Sequence, residues 1–192
     1  MSNGQSLRKV YFELHIRPMF RFIDRDHMLQ MGNPLFDLFK YEDVRMMTEG
    51  TPTVEPQMLP WIEGKRMPPA SLGGPWPEEW MALFRRWAEE KDDPYARLPR
   101  AEVQSWSATR EDDAVTLVAN GTKPSSADAV WIERLTAAES PREYIIYREP
   151  KGTPGAAVKF AARETFLSAN PGKVIIVHDA SGQPKEVAIE EG

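Results

Sequence analysis

The pattern of apolar and polar positions changes character near Pro99. Before this residue, apolar side chains recur at helical spacing between proline-rich segments. After it, short runs rich in Val, Ile, Thr, Trp and Tyr alternate with Gly, Asn and Pro turns. We therefore expect an α+β protein with two domains, an all-α domain at 10–90 and an all-β domain at 101–190, joined by a charged linker at 91–100.

The first half contains three predicted helices. The clearest opens at Pro77, with Glu78 and Glu79 in the first turn, where the helix dipole favours acids. Four large apolar side chains then recur at the spacing of one packed helix face. These are Trp80, Leu83, Phe84 and Trp87. The other two helices are predicted from about Pro18 to Gln30 and from Tyr41 to Met47, the latter ended by Gly50.

The second half contains seven predicted strands separated by turn signals. They cover Glu102 to Thr109, Ala114 to Ala119, Ala129 to Leu135, Glu143 to Arg148, Val158 to Glu164, Lys173 to His178 and Lys185 to Ile189. Short strands at this regular spacing are typical of an immunoglobulin-like or fibronectin-like β-sandwich. The fourth strand is apolar on both faces, which indicates a central strand or a buried interface.

Three short motifs of the first half resemble cytochrome-c-like domains in their order and spacing. They are the run Ile16-Arg17-Pro18-Met19-Phe20, the run Met67-Pro68-Pro69 and the helix Pro77 to Trp87. The resemblance spans Val10 to Glu90 and implies a small cytochrome-c-like scaffold. The chain reads Phe22 to Met28 where the Cys-x-x-Cys-His attachment run would stand, and it contains no cysteine, so the implied domain is haem-less. His27 and Met67 fall where that family places its axial ligands, which keeps non-covalent haem binding open.

Composition narrows the classes of partner. The net charge of -5 and pI near 5.4 argue against nucleic acid, because phosphate recognition needs a clustered positive field. No run approaches the roughly 20 apolar residues of a membrane-spanning helix, and the polar start from Met1 to Lys9 leads us to expect a cytoplasmic protein. The absence of cysteine excludes disulfides, thiolate metal sites and cysteine nucleophiles.

Candidate catalytic groups are few. His15, His27 and His178 stand in no metal-ligand spacing, and the chain has no nucleophile elbow and no phosphate-binding glycine loop. His178 and Asp179 follow an apolar strand and could form a dyad, although Asp179-Ala180-Ser181-Gly182 is typical of a turn. We therefore expect neither enzymatic activity nor a bound metal or cofactor.

The sequence favours a non-catalytic accessory or protein-interaction protein that docks onto another protein, such as an oxidoreductase or a biosynthetic enzyme. The proline-rich loop Thr48 to Pro75 is the predicted contact surface. Its expected contact residues, with the tryptophan that follows, are Met58, Leu59, Trp61, Ile62 and Trp76. Two alternatives stay open: a haem-binding redox protein that uses His27 and Met67, and a carbohydrate or small-ligand binder that uses Trp106 and Trp131.

Overall fold

The structure is a computed structural model that describes residues 8–31, 36–68, 71, 73–135, 141–168 and 171–192. Its internal contacts divide the chain into two compact units, one up to Leu98 and one from Pro99. Each unit has its own apolar core.

The first unit consists of short helices joined by irregular segments. A π-helix at Phe12–Ile16 runs into a 3-10 helix at Arg17–Met19. Four α-helices follow: α1 at Phe22–Met31, α2 at Tyr41–Glu49, α3 at Met58–Glu63 and α4 at Glu78–Glu89. The longest of them, α4, has only 12 residues, so packing of aromatic side chains must supply most of the stability of this unit.

Trp87 lies at the centre of that core. Its side chain is fully buried, and its indole Nε1 donates a hydrogen bond to the carbonyl oxygen of Ala96 at 2.9 Å. The rings of Phe12, Phe84 and Tyr95 contact it at centroid distances of 5.7, 5.5 and 5.3 Å. The α4 stripe therefore faces the core as predicted at Phe84 and Trp87, whereas Trp80 remains 40% exposed.

The cytochrome-c-like interpretation of this half is wrong. Helices α1, α2 and α4 are confirmed, although α1 begins only at Phe22, because Pro18 lies in the 3-10 helix. Helix α3 lies in the segment predicted to be a loop. Proline and glycine interrupt the helices so often that the described residues of this unit form no bundle of long packed helices. The motif residues Ile16 and Met19 are ordinary core residues of this unit.

The second unit contains one mixed sheet of seven strands. These are β1 at Glu102–Glu111, β2 at Ala114–Lys123, β3 at Ala129–Arg134, β4 at Arg142–Glu149, β5 at Val158–Leu167, β6 at Val174–His178 and β7 at Pro184–Glu191. The order across the sheet is β3-β4-β6-β7-β1-β2-β5. The β1/β7 and β4/β6 pairs are parallel and the others antiparallel. The outermost strands, β3 and β5, also approach each other, so the sheet is nearly closed.

All seven predicted strands are confirmed, but the predicted β-sandwich is wrong. A sandwich would divide the strands between two facing sheets, whereas here they form one continuous hydrogen-bonded order. The alternation of apolar residues predicts which face of a strand is buried, but it carries no information about which strand lies beside it. The burial of β4 on both faces is confirmed, since Tyr144, Ile145, Ile146 and Tyr147 are all at most 3% exposed.

The pairing of β1 with β2 is irregular between Val103 and Ser105. Gln104 has no partner in the register there, and Gly121 lies on the opposite strand. A Cβ atom at Gly121 would collide with the carbonyl oxygen of Glu102 and would lie 2.8 Å from the ring of Phe160. Glycine is therefore required for β2 to pass this close to its neighbours.

We expect Gly121→Ala to lower the free energy of unfolding by about 2 kcal/mol, because the added methyl meets backbone that cannot move aside. Denaturant unfolding of the full chain measures this change. The matched control is Gly155→Ala, where no atom lies within 4 Å of the added carbon. Equal stability of the two variants would contradict the close approach at Gly121.

Candidate functional site

Strands β1 and β7 separate from each other over half of their length. They pair in parallel only at Ala108 with Ile189, Thr109 with Glu190 and Arg110 with Glu191. Towards the start of both strands the ladder is interrupted, and a cleft of about 370 Å³ opens between residues 103–108 and residues 185–190. We call this feature the β1/β7 cleft.

The path of the chain into β1 accounts for the separation. Strand β6 pairs with β4 only as far as Ile145. Beyond that point, residues 99–101 take the place of β6 beside β4, and Arg100 forms a β-bridge with Tyr147. The amide of Ala101 donates to the carbonyl oxygen of Ile146 at 3.2 Å, and the amide of Ala180 donates to that of Ala101 at 3.1 Å. The chain therefore enters β1 from the β4 side and reaches β7 only at Ala108.

The walls of the β1/β7 cleft are strand edges. The far edge of β1 pairs with β2, and the far edge of β7 pairs with β6. Within the described residues, the facing edges of 103–107 and 184–188 have no strand partner, because their mutual pairing begins at Ala108. Backbone N–H and C=O groups in such an edge are a template for another extended chain.

The side chains of the cleft divide into an inner and an outer set. Ala108 and Val187 are buried and Trp106 is half-buried, so the inner wall is largely apolar. The outer positions alternate with these and are exposed. They are Ser105, Ser107, Glu186 and Ala188.

A buried carboxylate connects the two walls where their backbones are not paired. Asp179 is 1% exposed and follows β6. Its Oδ2 accepts hydrogen bonds from Trp106 Nε1 at 3.3 Å and from Lys185 Nζ at 2.7 Å, and its Oδ1 accepts one from the amide of Ser181 at 2.9 Å. One side chain of β1 and one of β7 therefore share a single acceptor where the strands themselves do not pair.

These donors control the ionisation of Asp179. Burial alone would raise the pKa of the carboxyl group, but the hydrogen bonds from Lys185, Ser181 and Trp106 outweigh it and lower the pKa to about 2. The carboxylate is consequently charged throughout the physiological range, and it neutralises Lys185.

His27 and Met67, the two residues at the predicted axial-ligand positions, have different surroundings. His27 is exposed on α1, and Met67 is partly buried against the aromatic core of the first unit.

The residues expected to contact a partner lie in the first unit's own core. Met58, Ile62 and Trp76 are buried there, and Leu59 and Trp61 are partly buried against it. These side chains are therefore largely covered by the first unit itself.

The other two candidate pairs, His178 with Asp179 and Trp106 with Trp131, do not act together in the structure. Asp179 forms its hydrogen bonds with residues of the β1/β7 cleft. His178 points to a different group: its Nε2 lies 3.6 Å from Glu143 Oε2, too far for a hydrogen bond. Trp131 on β3 packs on Tyr147, while Trp106 lines the cleft, and other strands separate β3 from β1. Among the described residues, no hydrogen bond joins His178 to Asp179, and Trp106 and Trp131 are not neighbours.

No protein-family model, curated protein or solved structure matches this chain. Among the described residues, no group of three or more His, Asp or Glu side chains is placed to hold a metal ion. None of the helices in the described part of the chain has the length and apolar character needed to cross a membrane.

Sequence reasoning missed Lys185, Glu186 and Ser105 as candidate site residues. The one available signal is that the first half of β1 is polar on both faces, at Gln104, Ser105 and Ser107, as expected for a strand edge in water. The turn chemistry predicted at Asp179 is confirmed, since its carboxylate accepts the amide of Ser181 two residues on.

We expect Asp179→Asn to lower the free energy of unfolding by about 2 kcal/mol at neutral pH, because the amide cannot replace the charge that Lys185 and Trp106 share. The depressed pKa has a second consequence. In the parent protein this stabilisation is complete above the ordinary carboxyl pKa of 3.8 and is lost as the pH falls towards 2.

Denaturant unfolding at a series of pH values from neutral to acid measures both effects. Asp179→Asn should flatten the stability profile in the acid range, whereas Asp92→Asn, at an exposed carboxylate, should leave it unchanged. A parent-like profile for Asp179→Asn would show that the carboxylate does not hold the two walls.

Proposed function

We propose that this protein is a non-catalytic interaction protein whose β1/β7 cleft binds an extended segment of a partner protein by strand addition. The observation that carries this proposal is the pair of facing, unpaired strand edges at 103–107 and 184–188. An inserted strand would satisfy both edges at once, whereas addition to the outside of a sheet satisfies only one.

The length of the cleft suits such a segment. About five residues of each wall are unpaired, which corresponds to a length of roughly 17 Å in an extended chain. Each backbone hydrogen bond that replaces hydrogen bonds to water contributes about 1 kcal/mol to the free energy of binding. A short segment with hydrogen bonds to both walls can therefore bind measurably. The pairing at Ala108 with Ile189 closes one end of the cleft and limits how far a segment can extend.

The polar groups that line the cleft also support recognition rather than catalysis. Ser105 and Ser107 have no histidine among the other lining residues to activate them. The ammonium group of Lys185 is bound to Asp179 and is not available as a base. What remains is backbone, an indole and small or charged side chains, which are the elements of peptide recognition.

We expect a terminally blocked peptide of about six residues, in which valine alternates with lysine, to slow amide exchange along the walls of the cleft. Hydrogen exchange of the full chain, with and without the peptide, measures this protection at 103–107 and 185–188. The control peptide carries proline at its central positions and lacks the donors that a ladder needs.

A blocking variant separates strand addition from binding elsewhere. Ala188 is exposed and lines the cleft, so Ala188→Trp should abolish the protection. Ala82→Trp, at an exposed alanine of α4, is the matched control and should bind as the parent does. Equal protection by the proline peptide, or binding that survives Ala188→Trp, would overturn the proposal.

A further inference from the structure

We infer that the partner segment alternates apolar side chains with basic ones and that it presents the basic ones to the outer rim of the β1/β7 cleft. This inference depends on the proposed function and adds the chemistry of the segment that the cleft selects. It is drawn from the charges and side-chain sizes along the two walls.

The register of the paired residues of β1 and β7 shows which residues face each other across the cleft. Because Ala108 pairs with Ile189, Ser107 lies level with Ala188, and Ser105 lies level with Glu186. Neighbouring strands in a sheet bring side chains of the same face within about 5 Å of each other. An outward side chain of the inserted segment would therefore lie between a serine of β1 and either Glu186 or Ala188 of β7.

The outer rim carries uncompensated negative charge. Glu186 and Glu190 are exposed and form no ion pair with any described residue. Lys185, the nearest cation of the wall, is neutralised by Asp179 at 2.7 Å, and Arg110 lies 3.8 Å from Glu191. Serine on the facing wall leaves room for a long side chain, so lysine or arginine fits at these outward positions.

The inner wall of the cleft favours apolar side chains at the inward positions of the partner segment. Trp106, Ala108 and Val187 face the inner side of the cleft, where a charged side chain would lose water. The carboxylate on this side, Asp179, already has Lys185 as its partner. Val, Ile or Leu at the inward positions would cover the exposed part of the indole. Alternation of period two, basic outward and apolar inward, satisfies both faces of one extended segment.

The experiment compares three blocked peptides of about six residues, in which valine alternates with lysine, glutamine or glutamate. Titrations of the full chain, followed by amide chemical shifts at the cleft, give their relative affinities. One outward lysine lies level with Glu186, and the next, beside Ala188, has Glu190 two residues further along the same face. We therefore expect the lysine peptide to bind about fivefold more tightly than the glutamine peptide. The glutamate peptide should bind more weakly than both, and added salt should reduce the difference.

Charge variants locate the source of the preference. Glu186→Gln combined with Glu190→Gln should bring the lysine peptide down to the affinity of the glutamine peptide. The matched control is Glu55→Gln combined with Glu79→Gln, at exposed glutamates of the first unit, which changes the net charge equally and should preserve the preference.

The outcomes separate this inference from the proposed function. Equal binding of all three peptides, or a preference that survives loss of both rim glutamates, would overturn the inference and leave strand addition standing. Failure of every peptide to bind would overturn both. Protection of the cleft that rises with protein concentration and without peptide would instead assign the cleft to a second copy of this chain, which would also overturn both.

Discussion

The hydrogen bonds that Asp179 accepts are the interactions on which the unpaired part of β1 and β7 depends. Two strands that diverge lose the ladder that normally holds neighbours together, and a buried carboxylate replaces it with hydrogen bonds from Trp106 of β1 and Lys185 of β7. The same group caps its own turn through Ser181. Because all donors converge on one ionised acceptor, the bonds are charge-assisted and directional, and they link the two walls where the strands do not pair.

A second buried carboxylate in this unit acts in a comparable way. Asp128 accepts hydrogen bonds from Arg148 and from the amides of Lys151 and Gly152, at 2.8, 2.9 and 3.3 Å. Burial opposes its ionisation, but these donors outweigh burial and lower its pKa. In both places, segments that leave the sheet are fixed by a carboxylate where a strand ladder cannot reach.

An unpaired strand edge attracts any extended chain, so the β1/β7 cleft must also restrict what enters it. Proteins protect such edges with bulges and charges. Here the irregularity at Gln104 bends the start of β1, and Glu186 and Glu190 place negative charge along the opposite rim. These features discourage indiscriminate pairing, and on our proposal they also provide the selectivity of the site, because only a segment of complementary charge gains from them.

The sequence by itself determined the local elements of this protein. Alternation and turn residues located all seven strands, and the helices at Tyr41 and Glu78 were visible from periodicity and first-turn acids. Short motifs did not identify the first unit, since Ile16, Met19 and Met67 resemble a cytochrome frame only in spacing and serve as core side chains here. Their meaning depends on what packs around them, and spacing does not encode that.

Only the tertiary structure decided the sheet order and the candidate site. The parallel pairing of β1 with β7 joins segments from opposite ends of the second unit, and no local pattern records which strands meet. The β1/β7 cleft exists because residues 99–101 pair with β4, so that β1 begins to pair with β7 only at Ala108. In the sequence, Asp179 is a turn residue. Its contacts with Trp106 of β1 and Lys185 of β7 form only because the sheet brings these strands close to the end of β6, and its part in the site depends on those contacts.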